Sequence, residues 1–321
     1  MPTALIIGCT GQDGSYLSEL LIEKGYMVHG LKRRSSSFNT RWLDALMRDY
    51  PERLKLHFGD VTDGSSVREI VRLVMPDEIY NLAAQSHVAV SWEIPEYTAD
   101  TVALGALRVL EALRVDAFGG RFYQASSSEM FGDEPAPQSE ETAFAPLSPY
   151  AASKVFAHQL TQMYREQYGL KASCGILFNH ESPRRGETFV SRKITRAIGR
   201  WKNGLGDGVT LGNVLPMRDW GHAKDYVRAM WMMLQHEPDD YVIGTGKSHS
   251  VQQFLTYATR DCPDMPVRTH HPNYVRGNEV HHLCADTHKA KTKLGWYPKI
   301  SFHELIDEMI EHDTEEASRC K

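Results

Sequence analysis

Thr3-Ala4-Leu5-Ile6-Ile7-Gly8-Cys9-Thr10-Gly11-Gln12-Asp13-Gly14 is the stretch whose reading decides the fold. Ala4 to Ile7 is a short apolar run, the pattern of a strand buried on both faces. Gly8, Gly11 and Gly14 follow it at three-residue spacing, and a helical pattern then runs from Ser15 to Lys24, ended by Gly25. Glycines between a buried strand and a helix permit a tight turn and the close approach of a pyrophosphate, which sits at the helix N-terminus. Gly8, Thr10, Gly11, Gln12, Asp13 and Gly14 are therefore candidate cofactor contacts.

Outward from this turn, apolar runs at 27–31, 54–58, 78–82, 121–125 and 172–177 alternate with helical patterns at 40–48, 65–73 and 98–113. Asp63 stands where it would cap the second of these helices, and a further helix begins at Tyr150. Strands alternating with crossover helices predict an α/β fold, a Rossmann-type doubly wound parallel sheet. After Asn179 the pattern loosens into helices at 189–201, 223–234 and 302–312, a Gly-rich turn region at 204–212, a loop at 270–278 and a frayed tail from Thr314. The expected division is 1–178 as a dinucleotide-binding domain, with parts of about 213–250 returning to it, and 179–321 as a smaller C-terminal α/β lobe for substrate.

The 321 residues suffice for that arrangement, and 41% apolar and 24% charged residues are ordinary for a globular chain. A net charge of -5, with no basic run beyond Lys32-Arg33-Arg34, gives no nucleic-acid signal. Five scattered cysteines without a CxxC pair argue against a disulfide framework or a zinc site and favour a reducing compartment. A strand opening at Thr3 leaves no room for a signal peptide, and no apolar run approaches a membrane span, so the expectation is a cytoplasmic protein without membrane contact. The adjacent pairs His270-His271 and His281-His282 point apart on a loop or strand, so no metal is expected.

At the end of the second strand, NAD-binding chains place an acid for the ribose 2′-hydroxyl. Here Arg33, Arg34, Ser35 and Ser36 stand instead, a cluster suited to a 2′-phosphate and hence to NADP. Asp60 and Val61 fall where the adenine is held, and Leu82, Ala83, Ala84 and Ser86 where small side chains line the cofactor. Tyr150 and Lys154 are four apart on one helix face, so the ammonium could lower the phenol's pKa and let it take a proton from a sugar hydroxyl. Ser127 could orient that hydroxyl. Glu129 has no use in a simple dehydrogenase, but could remove the acidic proton beside a new ketone. The set points to oxidation followed by elimination.

The segments 10–17, 32–40, 86–90, 178–187 and 218–227 resemble the GDP-mannose 4,6-dehydratase family of extended short-chain dehydrogenases/reductases, and the likeness runs to Trp296. The resemblance implies that Tyr150 oxidises C4 as base, that Lys154 holds the nicotinamide ribose, that Ser127 replaces the usual threonine and that Glu129 is the C5 base. It adds Tyr97, His180 and Arg185 as cofactor contacts. It implies Asn179, Val190, Lys193, Gly212, Arg218, Arg276 and Glu279 as GDP-sugar contacts, with Ser86 and Ser127 also near the sugar. Ser128 stands where dTDP-glucose dehydratases carry an aspartate acid, so Glu129 would itself protonate the leaving hydroxyl. The Arg33–Asn39 loop resembles one that meets a neighbouring subunit, which implies a homotetramer or homodimer. Arg276-Gly277-Asn278-Glu279 departs from the family's Arg-Pro-x-Glu and bears on the choice of sugar. Three other readings compete: a GDP-manno-heptose 4,6-dehydratase, a nucleotide-sugar 4-epimerase or reductase, and a non-catalytic NADP-binding regulator.

Overall fold

The computed structural model describes residues 1–271 and 279–320. Six strands come from the first 177 residues: β1 Thr3–Ile7, β2 Met27–Lys32, β3 Leu54–Phe58, β4 Glu78–Asn81, β5 Arg121–Ala125 and β6 Lys171–Leu177. They are followed by β7 Asn179–Glu181, β8 Val209–Thr210, β9 Met217–His222, β10 Asp240–Ile243, β11 Ser248–Ser250 and β12 Val267–Arg268. Seven of these form one parallel sheet in the order β10-β6-β5-β4-β1-β2-β3. The chain runs one way from β1 to β3 and the other way from β4 to β6, so the order reverses between β1 and β4. Crevices open at that switch point, beyond the carboxyl ends of the strands.

The helices are α1 Gln12–Glu23, α2 Asp44–Asp49, α3 Gly64–Val74, α4 Val90–Glu93, α5 Pro95–Ala99, α6 Gly105–Val115, α7 Pro149–Tyr168, α8 Val190–Lys202, α9 Ala223–Leu234, α10 Val251–Ala258 and α11 Phe302–Ser318. One sheet face buries Leu17 and Leu21 of α1 and Met230 and Met233 of α9 around Ile6 and Val28. The other buries Val67 and Ile70 of α3 and Val109 and Leu113 of α6 around Leu5 and Phe122. A separate core joins α8, α10 and α11 through Ile194, Ile198, Phe254 and Ile306. Each fully buried side chain of this size contributes roughly 1.5–3 kcal/mol. No helix among the described residues is long and apolar enough to cross a membrane.

Three local expectations change. The helix expected across 98–113 is α5, a π-helical turn at Asp100–Leu104, and α6. The guanidinium of Arg108 donates to the Asp100 carbonyl at 3.3 Å and pairs with its carboxylate at 2.7 Å, a side chain intruding on the helical ladder. The helix expected over 40–48 is turn until Asp44. The tail expected to fray from Thr314 continues α11 to Ser318. There Arg192 and Asp313 form a buried ion pair at 2.7 Å between α8 and α11, and Asn203 Nδ2 holds the Thr314 carbonyl at 3.0 Å.

Candidate active site

A cavity of about 1380 Å³ runs along the carboxyl ends of β1, β2, β4, β5 and β6 and on to α8 and β9. Its first end is the glycine turn. Gly8 has φ +89°, a conformation that side chains disfavour, and a Cβ on Gly14 would lie 2.5 Å from the Gly8 carbonyl oxygen. Gly11 caps α1 with no side-chain acceptor, which leaves first-turn amides for an anionic group. This is a cradle that fits a dinucleotide's diphosphate.

Gly8, Thr10, Gly11, Gln12, Asp13 and Gly14 line this end, with Asp60, Val61, Leu82, Ala83, Ala84 and Ser86. Arg33 lines it too and donates to the Tyr97 hydroxyl at 2.5 Å. Arg34, Ser35 and Ser36 are not brought to the cavity. They lie on an irregular exposed loop where the guanidinium of Arg34 sits 5.7 Å from the ring of Phe58.

Asp13 and His180 meet at 2.8 Å, Oδ2 to Nε2, while His180 Nδ1 lies 2.8 Å from the Phe178 carbonyl. A carbonyl and a carboxylate both accept, so the doubly protonated, charged ring is the form that satisfies both contacts. Burial opposes that charge, but the Asp13 carboxylate outweighs it and raises the His180 pKa. Asp13 is lowered in return, burial again being overcome by His180. Arg185 pairs with Glu181 at 3.0 Å and stacks on Phe189 at 3.7 Å.

At the centre, Ser148 Oγ accepts from Ala151 N at 3.1 Å and fixes the start of α7, which carries Tyr150 and, one turn later, Lys154. Opposite, the chain leaving β5 places Ser127 at the cap of a short helix, its Oγ accepting from Glu129 N at 3.2 Å. Ser127, Glu129, Tyr150 and Lys154 all line the cavity. Burial pushes Tyr150 up to about 12; the Ser127 hydrogen bond works against this and the Glu129 charge adds to it. Lys154 is brought down to about 8 by burial, with Asp13 opposing. The expected lowering of the phenol by the ammonium is not what this arrangement gives. Lys154 Nζ donates to the Ala125 carbonyl at 2.7 Å and lies 5.8 Å from the Tyr150 ring centre.

At the far end stand Asn179, Val190, Lys193, Gly212, Arg218 and Glu279. Arg276 and its neighbours Gly277 and Asn278 lie outside the described residues. Asn213 Nδ2 donates to Glu279 Oε2 at 2.8 Å. Trp220 packs on Phe254 at 4.6 Å, whereas Trp92 is 55% exposed at the cavity. The sequence reading missed the buried pair Ser126 and His158, whose Oγ and Nδ1 are 2.9 Å apart. Its signal was the spacing Tyr150, Lys154, His158 on one helix face. Within α11, His312, Asp313 and Glu316 come together, but Arg192 and Thr195 already occupy both carboxylate oxygens of Asp313.

Known proteins share this architecture. Residues 5–309 match the family model of GDP-mannose 4,6 dehydratase. A GDP-mannose 4,6 dehydratase of Arabidopsis thaliana is 55% identical, over 99% of this chain and 91% of the relative. A GDP-mannose 4,6-dehydratase of Yersinia enterocolitica is 50% identical, over 99% of this chain and 95% of its own. UDP-glucose 4-epimerase of Thermus thermophilus, solved in complex with NAD, superposes with a TM-score of 0.84 at 25% identity, over 97% of this chain and 98% of that one. On this likeness, the chain belongs to the GDP-mannose 4,6-dehydratase family.

Proposed function

We propose that the chain converts GDP-D-mannose to GDP-4-dehydro-6-deoxy-D-mannose, with NADP at the glycine-turn end and the GDP-sugar at the far end. The observation that carries this is the meeting of Tyr150, Lys154, Ser127 and Glu129 midway along one cavity. The redox chemistry would be the nicotinamide's: held by the glycine turn and Arg33, it would supply a hydride acceptor for C4 of the sugar and a hydride donor for C6. The chain's residues move the protons. Tyr150 Oη takes the C4 hydroxyl proton while Ser127 Oγ holds that oxygen. Glu129 removes the C5 proton made acidic by the C4 ketone and passes it to the departing C6 hydroxyl, which leaves as water. C5 then takes up a proton, balanced by release of the one that Tyr150 took from the C4 hydroxyl, so the sugar loses one water with no net redox change.

Tyr150 can act as a base only where cationic charge offsets its burial. Arg185 already works in that direction. Lys154 adds to it if its ammonium leaves the Ala125 carbonyl, and that movement is part of the proposal. NADP rather than NAD rests on Arg33 at the cavity. Lys193, Arg218 and Glu279 offer charges for the guanosine diphosphate. The division of labour at residue 178 is supported by β10 rejoining the main sheet and by the far-end residues lying beyond Phe178. A cytoplasmic homotetramer or homodimer completes the proposal, and light scattering on the purified chain measures the assembly.

The test is mass spectrometry of GDP-mannose and GDP-manno-heptose incubated with the protein and NADP. The expected result is GDP-mannose lighter by one water. An unchanged mass would make the chain an epimerase, and preferential turnover of the heptose would move the assignment to the longer sugar.

A further inference from the structure

Two ligands of one cavity respond to each other only if something links their halves, and here the link is polar and charged. Asp13 belongs to the first turn of α1, against the glycine turn. His180 belongs to β7, which also carries Asn179 and pairs with β9, the strand of Arg218. The His180 ring bridges Asp13 Oδ2 and the Phe178 carbonyl, both at 2.8 Å. Gln12 doubles the connection, its Nε2 donating to Asp13 Oδ1 and to the His180 carbonyl, each at 3.1 Å. The Asp13 and His180 side chains are only 22% and 12% exposed, so solvent screens the pair weakly. Gln12 and Asp13 thus tie the start of α1 to His180 of β7.

We propose that Asp13 and His180 form a clasp that couples the two halves of the cavity, so that a dinucleotide at the glycine turn and a guanosine diphosphate beside β7 and β9 tighten each other's binding. Both are positioning residues in this role, and the inference rests on the functional reading above. Coupling of this kind is reciprocal: each ligand gains the same factor from the other.

The experiment titrates NADP into the full chain by calorimetry, with and without saturating GDP, for the wild type, His180→Phe and Asp13→Asn. His180→Phe keeps a ring on Tyr226, now stacked at 4.6 Å, and removes both ring hydrogen bonds. Asp13→Asn keeps the shape and removes the charge, so a folding failure in one variant leaves the other to decide. GDP should tighten NADP binding at least about fivefold in the wild type and less than about twofold in either folded variant. The same factor in the wild type and a folded variant would overturn the clasp, as would wild-type binding of both ligands without mutual effect. Wild-type binding of neither would instead bring down the functional reading, and the clasp with it.

Discussion

The two ends of the cavity are built from different materials. At the glycine turn, backbone does the shaping: Gly8 at φ +89°, Gly14 with no space for a Cβ, and α1 opening without a side-chain cap. At the far end, side chains from β7, α8, β9 and the segments around Gly212 and Glu279 converge from distant parts of the chain. The difference teaches where each end is vulnerable. The first should fail when atoms are added to its backbone, and the second when charges are taken from its side chains.

The centre, where the ends meet, carries the largest expected effect. Glu129→Gln should lower kcat by about 10²–10⁴, the usual span of a general acid or base, while calorimetric NADP affinity stays unchanged. Full activity in that variant would remove Glu129 from the chemistry. Gly14→Ala should cut NADP affinity by roughly tenfold or more, since its methyl would meet the Gly8 carbonyl at 2.5 Å, a clash worth 1 kcal/mol upward. GDP affinity measured in the same variant should move much less. Equal losses for both ligands would erase the contrast between the ends. Lys193→Ala should raise KM for GDP-mannose about tenfold with little change in kcat, as expected for one charged contact made equally in ground and transition states.

The smallest effect on ligand binding lies outside both ends and serves as a control. Asp240 of β10 pairs with Arg165 at 2.9 Å. Burial opposes its ionisation, but the Arg165 and Gln162 hydrogen bonds prevail and bring it from 3.8 to about 2. Its stabilisation is therefore complete above its ordinary value and lost as pH falls through about 2. Asp240→Asn should cost about 2 kcal/mol at neutral pH, from the size of that shift. The penalty should shrink in acid denaturation curves below the ordinary carboxylate pKa, and a penalty independent of pH would contradict the pairing.

The same contrast explains what could be read from the amino-acid string. The strand, glycine turn and helix from Thr3 to Lys24 are local in sequence, so spacing alone displayed them. Tyr150 and Lys154 were visible for the same reason, because helical periodicity puts them on one face. Arg34, Ser35 and Ser36 look like Arg33 in composition, yet only Arg33 reaches the cavity, since an irregular loop has no period from which side-chain direction follows. Asp13 and His180 are 167 residues apart, and only the fold, which brings β7 within hydrogen-bond reach of the start of α1, makes them partners. The π-helical turn escaped because it depends on where Arg108 bends back to Asp100. The continuation of α11 escaped because Asp313 finds its partner in α8.

If one bound sugar is oxidised, dehydrated and reduced again within this cavity, the hydrogen that leaves C4 must reappear on C6. Its most direct test is GDP-mannose carrying deuterium at C4, incubated with the protein and NADP and examined by mass spectrometry and NMR. The expected product is lighter by one water and carries the deuterium on the new C6 methyl group. Deuterium absent from that methyl, or a sugar of unchanged mass, would contradict it.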